Sequence, residues 1–414
     1  MPGMNLRKLD PRIAATLWIG LIYTSIPFVR GLREFFAARW PVEVIAFAVV
    51  IIAIGAGGAA TAILRKRQAH IGPADLLWLF GVAAVIVLWI RGLMGQPEEA
   101  VHFLEYGVLG VLLYRSFVAR IPDSTVYVAA TLAGLLVGTV DEIIQWLTPG
   151  RFWDLRDIIL NGGAVALVQI VIWRLVTRPT TTVSRSSRRL LCRLAAGLVL
   201  LLTLCAAATP QRLSHLSEYV PMPDRLANGV DAICEYGRRH TVEERTVFRS
   251  RLSSAELVRN DRDRAPDLAR EIDASRGSAG PARKNLSPVA DPFGYEIRIH
   301  LFARNRNLRK ALAHQAGSPG HRRHMTTAWR ENLILENSFG KTLELSTYRW
   351  GSRRRKDVES AQDPDVVFVS RAGAHLITEI SEGQLRALLL SLFAVLAACD
   401  VFGAIRFRPE SPTE

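Results

Sequence analysis

Thr125-Val126-Tyr127-Val128-Ala129-Ala130-Thr131-Leu132-Ala133-Gly134-Leu135-Leu136-Val137-Gly138-Thr139-Val140-Asp141-Glu142-Ile143-Ile144-Gln145-Trp146 carries no charge before Asp141. As one helix it supplies the ~20 apolar residues that cross a bilayer. It then ends in two adjacent carboxylates, which are costly at membrane depth and need a reason to be there. Similar apolar runs, read in windows of ~19 residues, lie on either side, at 12–29, 42–64, 74–90, 100–119, 157–176, 190–208 and 384–405. The expected fold class is therefore an all-α transmembrane helical bundle of about eight spans, with an extracytoplasmic α+β domain inserted between spans seven and eight. The first run follows Arg7, Lys8 and Arg12 like the front of a signal peptide, but no small-x-small cleavage site follows it, so it reads as a retained span.

The whole chain has 414 residues, 52 Lys+Arg against 38 Asp+Glu, a formal charge of +14 and a mean hydropathy of +0.16. That much apolar surface excludes a disordered chain. Four cysteines exclude a disulfide framework: Cys192, Cys205 and Cys399 lie in apolar runs as packing residues, and Cys234 stands alone in a polar region. The basic excess alone would point to nucleic acid, but its distribution removes that partner. Arg65, Lys66 and Arg67, then Arg115 and Arg120, then Arg174, Arg178, Arg185, Arg188 and Arg189 fall in connections that an eight-span chain puts on one side. Lys and Arg in short loops favour the cytoplasm. Both termini are then cytoplasmic and residues 210–382 extracytoplasmic. The segments are 1–72, two N-terminal transmembrane helices; 73–177, a four-helix transmembrane domain; 178–209, a cytoplasmic connection and span seven; 210–382, a soluble domain; and 383–414, span eight and a cytoplasmic tail.

Within 210–382, Thr241 and Glu244 form a capping box that predicts a helix over 241–259. A mobile linker is expected over 260–290, and the alternation from Tyr295 to Leu301 predicts a strand. A helix through Trp329, Leu333 and Phe339 and strands near 342–349, 365–370 and 374–380 complete the reading. His314, His321 and His324 have no carboxylate in register and read as a solvated loop. Arg353, Arg354, Arg355 and Lys356 read as a solvated face that could also meet acidic lipid or polymer. No metal and no cofactor is expected.

Polar residues gather at the edges of spans four, five and six. Glu98, His102 and either Glu105 or Tyr106 share a helix face, with Glu99 beside them. Asp141, Glu142 and Gln145 end span five, Thr148-Pro149-Gly150-Arg151 turns the chain, and Asp154, Asp157 and Asn161 lie on one face of span six. In the eight-span topology all of them come to the outer leaflet. Gly134 and Gly138, a GxxxG pair, and Gly162-Gly163 let these helices approach closely.

This pattern resembles the signature of VanZ-like membrane proteins: Glu99, His102, Tyr106 and Leu109; Asp141, Glu142, Gln145 and the Pro149-Gly150-Arg151 turn; then Asp154, Asp157 and Asn161. The resemblance covers about residues 74–176. Members commonly carry a Lys shortly before the His, where this chain has Glu98-Glu99. The resemblance implies a cell-envelope role, with glycopeptide-antibiotic resistance or handling of envelope lipid or polysaccharide as the processes in view, and it supplies no reaction. Two functional readings follow. In the first, the chain binds an amphiphile, a lipid-linked envelope precursor or a cell-wall polymer among the membrane lipids. Arg151 holds an anionic group while Asn161, Gln145 and Tyr106 orient the polar head. In the second, the chain is a membrane-embedded hydrolase or transferase for a lipid-linked substrate, with Glu142 or Asp141 as general base, His102 as acid or base and Arg151 stabilising negative charge. The competing structural reading makes the same residues a network that fastens helix ends. Transport is weaker, because the acids gather at one face instead of running through the bundle.

Overall fold

The structure, a computed structural model, describes residues 10–37, 72–73, 77–78, 80–82, 84–85, 88, 97–149, 151–175, 183–274 and 287–405. It divides into two compact units, residues 1–204 with 388–414, and residues 205–387.

The first unit is helical. Its elements are α1 (Pro11–Ala37), α2 (Pro97–Phe117), α3 (Thr125–Leu147), α4 (Leu155–Leu175), most of α5 (Arg185–Ala207) and most of the last helix, Glu382–Ile405. Among the described residues, four helical stretches are long and apolar enough to cross a membrane: Thr125–Leu147, Leu155–Arg174, Arg185–Ala207 and Glu382–Asp400. The expected span 42–64 lies outside the described residues, and the described parts of 74–90 are helical. Helix α3 stops where Thr148 turns extended ahead of Pro149, as the residue before proline tends to do.

Ile22, Phe103, Tyr106, Leu109, Ala130, Ala133, Leu160 and Val165 form a buried cluster fed by α1, α2, α3 and α4. Small residues set how closely these helices meet. A Cβ on Gly134 would stand 2.7 Å from a Val165 methyl, and one on Gly138 would stand 3.1 Å from the Asn161 Cβ. Gly162 is likewise covered by the Leu135 side chain. The close-approach reading of Gly134, Gly138 and Gly162 is met at all three. Gly134→Val therefore overpacks the α3–α4 contact and lowers stability by about 1–3 kcal/mol. Thermal melting of the purified protein reads this, with Gly20→Ala as a control, since a Cβ there meets nothing within 4 Å.

Asp123, in the turn between α2 and α3, is fully buried. Its carboxylate accepts from the Thr125 N–H (3.0 Å) and hydroxyl, and from the Ser184 N–H (3.0 Å) and the Ser187 hydroxyl (2.7 Å) at the start of α5. One acid thus caps two helix N-termini, where backbone donors lack partners and negative charge is favoured. At the far end of the chain, Asp400 pairs with Arg193 at 3.1 Å. The four cysteines are free; Cys205 is buried as expected, but Cys399 is exposed.

The second unit contains the short helices α6 (Pro210–Leu216) and α7 (Asp224–Ala227), the strands β1 (Arg238–Val242) and β2 (Thr246–Ser250), and then helices α8 (Ser254–Ala274), α9 (Pro292–Leu312), α10 (Pro319–Ser338), α11 (Gly340–Leu345) and α12 (Ser352–Ala361), with β3 (Phe368–Val369) near its end. Strands β1 and β2 are antiparallel, with Val242 opposite Thr246 and Arg238 opposite Ser250, and β3 joins β2 in parallel. Phe248, Leu257, Leu268, Phe293, Ile297, Leu301, Leu333, Leu335 and Phe339 fill the core between hairpin and helices.

Several expectations are corrected here. The helix over 241–259 is a β-hairpin followed by a later helix. Thr241 lies in β1, and Glu243 and Glu244 form the turn at φ 48° and 58°. The working capping box is Ser253 with Glu256, twelve residues on: the Glu256 carboxylate accepts from the Ser253 N–H at 2.7 Å. Residues 260–274 of the expected linker belong to α8, and 275–286 lie outside the described residues. The strand at Tyr295–Leu301 is helix α9. Asp291 caps it by accepting from the Gly294 N–H at 3.0 Å, and Pro292 opens it. The alternation misled because Glu296, Arg298 and His300 are buried too, so it never marked a wet face. The helix through Trp329 and Leu333 is α10. Residues 342–345 are helical, a strand forms at Phe368–Val369, and Ile377 makes a single bridge to Tyr236. His321 and His324 are in α10, not a loop, and the His324 ring stacks on His314 with centroids 5.5 Å apart. On α12, Arg355 meets Glu336 at 3.2 Å.

Candidate functional site

Helices α2, α3 and α4 bring three of their polar residues together because the intervening positions are small. Tyr106, Asp141 and Asn161 are each fully buried. The Tyr106 hydroxyl donates to Asp141 Oδ2 at 3.0 Å, linking α2 to α3. Gly138 leaves the space between them, since a side chain there would meet both Asn161 and Tyr106. Among the described residues, neither the amide N–H nor the carbonyl oxygen of the Asn161 side chain finds a hydrogen-bond partner. An unpaired buried amide costs about 1–3 kcal/mol per group, so this is the energetically least settled residue of the cluster.

Glu142, next to Asp141 at the end of α3, has its own partners. Its Oε1 accepts from Gln145 Nε2 at 3.0 Å and its Oε2 from the Asp154 backbone N–H at 3.1 Å. It is fully buried and Gln145 nearly so. This carboxylate therefore ties the end of α3 to the start of α4. Asp154 caps α4: its Oδ1 accepts from the Arg156 N–H at 2.8 Å. Arg151 and Asp157 are half-buried at the turn and in the first turn of α4, and the Arg151 N–H donates to the Thr148 carbonyl at 3.2 Å. Glu105 is half-buried on α2. Glu98, Glu99 and His102 lie in the first turns of α2, with side chains outside the described residues.

Two residues missed by the sequence reading buttress the cluster from α1. Trp18 Nε1 donates to the Glu105 carbonyl at 3.0 Å, and the Tyr23 hydroxyl to the Val137 carbonyl at 3.1 Å. Their only signal was a polar tip on an aromatic ring inside an apolar run. Among the described residues no group of three His, Cys, Asp or Glu could hold a metal ion.

The segment that holds this cluster, with paired acids, the Pro-Gly-Arg turn and a glycine-backed Asn, is also the one that the comparison with known families selects. Residues 43–177 match the VanZ/LLP1 family model. The VanZ-like segment makes up about a third of the chain and contains α2, α3 and α4. Helix α1, with Trp18 and Tyr23, lies outside it. So do the second unit and its sheet. No curated protein and no solved structure matches the chain. The apolar helices and the VanZ-like segment together mark this as a membrane protein.

Proposed function

We propose that this multi-pass protein acts in the cell envelope, in glycopeptide resistance or in the handling of envelope lipid or polysaccharide, by binding an amphiphile at the outer-leaflet end of its VanZ-like segment. Both termini are cytoplasmic and residues 210–382 extracytoplasmic in this reading. The observation that carries it is Asn161: fully buried, with both polar atoms unpaired among the described residues, beside Gly138 and near Tyr106. An amide with a spare donor and a spare acceptor suits a hydroxyl- or amide-rich head group, and half-buried Arg151 nearby in sequence supplies the fork for a phosphate or carboxylate. The binding reading is preferred to a hydrolase or transferase because both oxygens of Glu142, the candidate base, are held by Gln145 and Asp154.

Asn161→Leu tests this. Removing an unpaired buried amide for an apolar group of similar shape is neutral or stabilising, so the variant accumulates and melts at or above the wild-type temperature. On the binding reading it nevertheless loses the envelope-antibiotic phenotype, as Arg151→Ala also does. Wild-type antibiotic sensitivity in a well-folded, abundant Asn161→Leu protein refutes the reading.

A further inference from the structure

A cleft of about 1430 Å³ opens in the second unit between α9, α10 and the segment around β3. Arg306, Lys310, Arg322, Arg323 and Arg371 line it, all exposed. Several other arginines of this unit are paired with a carboxylate: Arg251 with Glu235 at 2.5 Å, Arg264 with Asp291 at 2.6 Å, Arg249 with Glu379 at 2.9 Å. A sixth lining cation, Arg298, pairs with Glu271 at 3.2 Å, but the other five have no such carboxylate among the described residues. Two acids do line the cleft, but Glu331 is committed to His300 (2.7 Å) and Ser370 (2.6 Å), and Asp363 turns an oxygen to the Asp365 N–H at 3.1 Å. The excess positive charge is felt by His324, whose imidazole is pushed below its usual range by burial and by Lys310, His314 and Arg323. The segment around β3 adds apolar surface: Val366, Val367 and Val369 are exposed, Val367 by 70 %.

Like charges held together without paired carboxylates, next to exposed aliphatic side chains, are unfavourable on both counts unless something covers them. We propose that this cleft binds an anionic amphiphile, with a phosphate group held by Arg306, Lys310, Arg322 and Arg323 and an apolar chain laid along Val366, Val367 and Val369. Guanidinium forks match phosphate oxygens in pairs, and a short alkyl chain suits the valine wall. The inference does not rest on the reading of Asn161, since every residue in it lies outside the VanZ-like segment.

The test uses the full chain in nanodiscs of zwitterionic phosphatidylcholine, titrated calorimetrically with octyl phosphate below its micelle concentration and, separately, with inorganic phosphate. Octyl phosphate binds saturably, more weakly as salt rises from about 0.05 to 0.5 M. The double variant Arg306→Gln/Arg322→Gln, both exposed positions, weakens it about tenfold or more. Val367→Ser weakens octyl phosphate several-fold and leaves inorganic phosphate binding as it was. Unchanged octyl phosphate binding in the arginine double variant overturns the proposal. So does inorganic phosphate binding as tightly as octyl phosphate, which would mark a site for free phosphate or a soluble polyanion. Melting curves of the variants matching wild type tie any loss to the cleft, and the salt response of the wild type judges the charge argument without any substitution.

Discussion

Asp123→Ala lowers the stability of the first unit by about 2–4 kcal/mol, because four donors at two helix N-termini lose one charged acceptor and stay buried. Unfolding of the purified protein by graded denaturing detergent reads the change. The charge has its own signature. Burial pushes the Asp123 carboxyl up, and hydrogen bonds from Thr125, Ser184 and Ser187 more than reverse this, holding it at about 2 against an ordinary 3.8. A carboxyl whose pKa is lowered by folding contributes stability that is complete above its unfolded value and lost as pH falls through the folded one. Melting temperature therefore falls between about pH 4 and pH 2, and Asp123→Asn removes that part of the slope. A variant with wild-type stability would mean that the two helix starts hold without the acid.

Arg304→Ala has the larger expected effect on the second unit. Arg304 is 1 % exposed, its Nη1 donates to Asn332 Oδ1 at 2.9 Å, its Nη2 to the Tyr348 carbonyl at 2.8 Å, and its guanidinium lies 4.9 Å from the centre of the Trp350 ring. Burial pulls its pKa down to about 10, still far above neutral, so the group is buried charged. Removing it orphans two buried acceptors and opens a cavity under Trp350, a loss of about 3–5 kcal/mol. Arg304→Lys keeps the charge but not the fork and loses about half as much. Loss of Trp350 fluorescence order in Arg304→Ala, with the helical signal of the first unit retained, separates this local effect from general unfolding. Equal melting of wild type and Arg304→Ala would show the network to be dispensable.

The helices were legible where an apolar run and a turn agreed. Thr125–Leu147 ends at Thr148 because Pro149 follows, and both features are local. A close neighbour at Gly134 and Gly138 could also be anticipated from the spacing of small residues, but not that Val165 and Asn161 supply it. What failed in the second unit failed for one reason. Thr241 with Glu244 and Ser253 with Glu256 offer the same local signal, and only the pairing of β1 with β2 decides which of them caps a helix. The alternation at Tyr295–Leu301 was misread because Glu296, paired with Ser250 at 2.5 Å, and His300, paired with Glu331, are buried polar residues. In the candidate site the Tyr106–Asp141 contact joins elements already grouped by pattern. The contacts of Trp18 and Tyr23, and those of Asp123 with the start of α5, were not legible, because these partners stand 61 to 114 residues away and no spacing announces them.

The first unit is not continuous in sequence: residues 388–405 of the last helix belong with residues before 205, and Arg193 finds Asp400 across that gap. During synthesis the ribosome must add the whole second unit, about 180 residues, before that helix exists. At roughly 5–20 residues per second this is a delay on the order of ten seconds or more. Until then Arg193 waits without its carboxylate, and a nascent chain cut short anywhere between 210 and 382 leaves the first unit without its last helix.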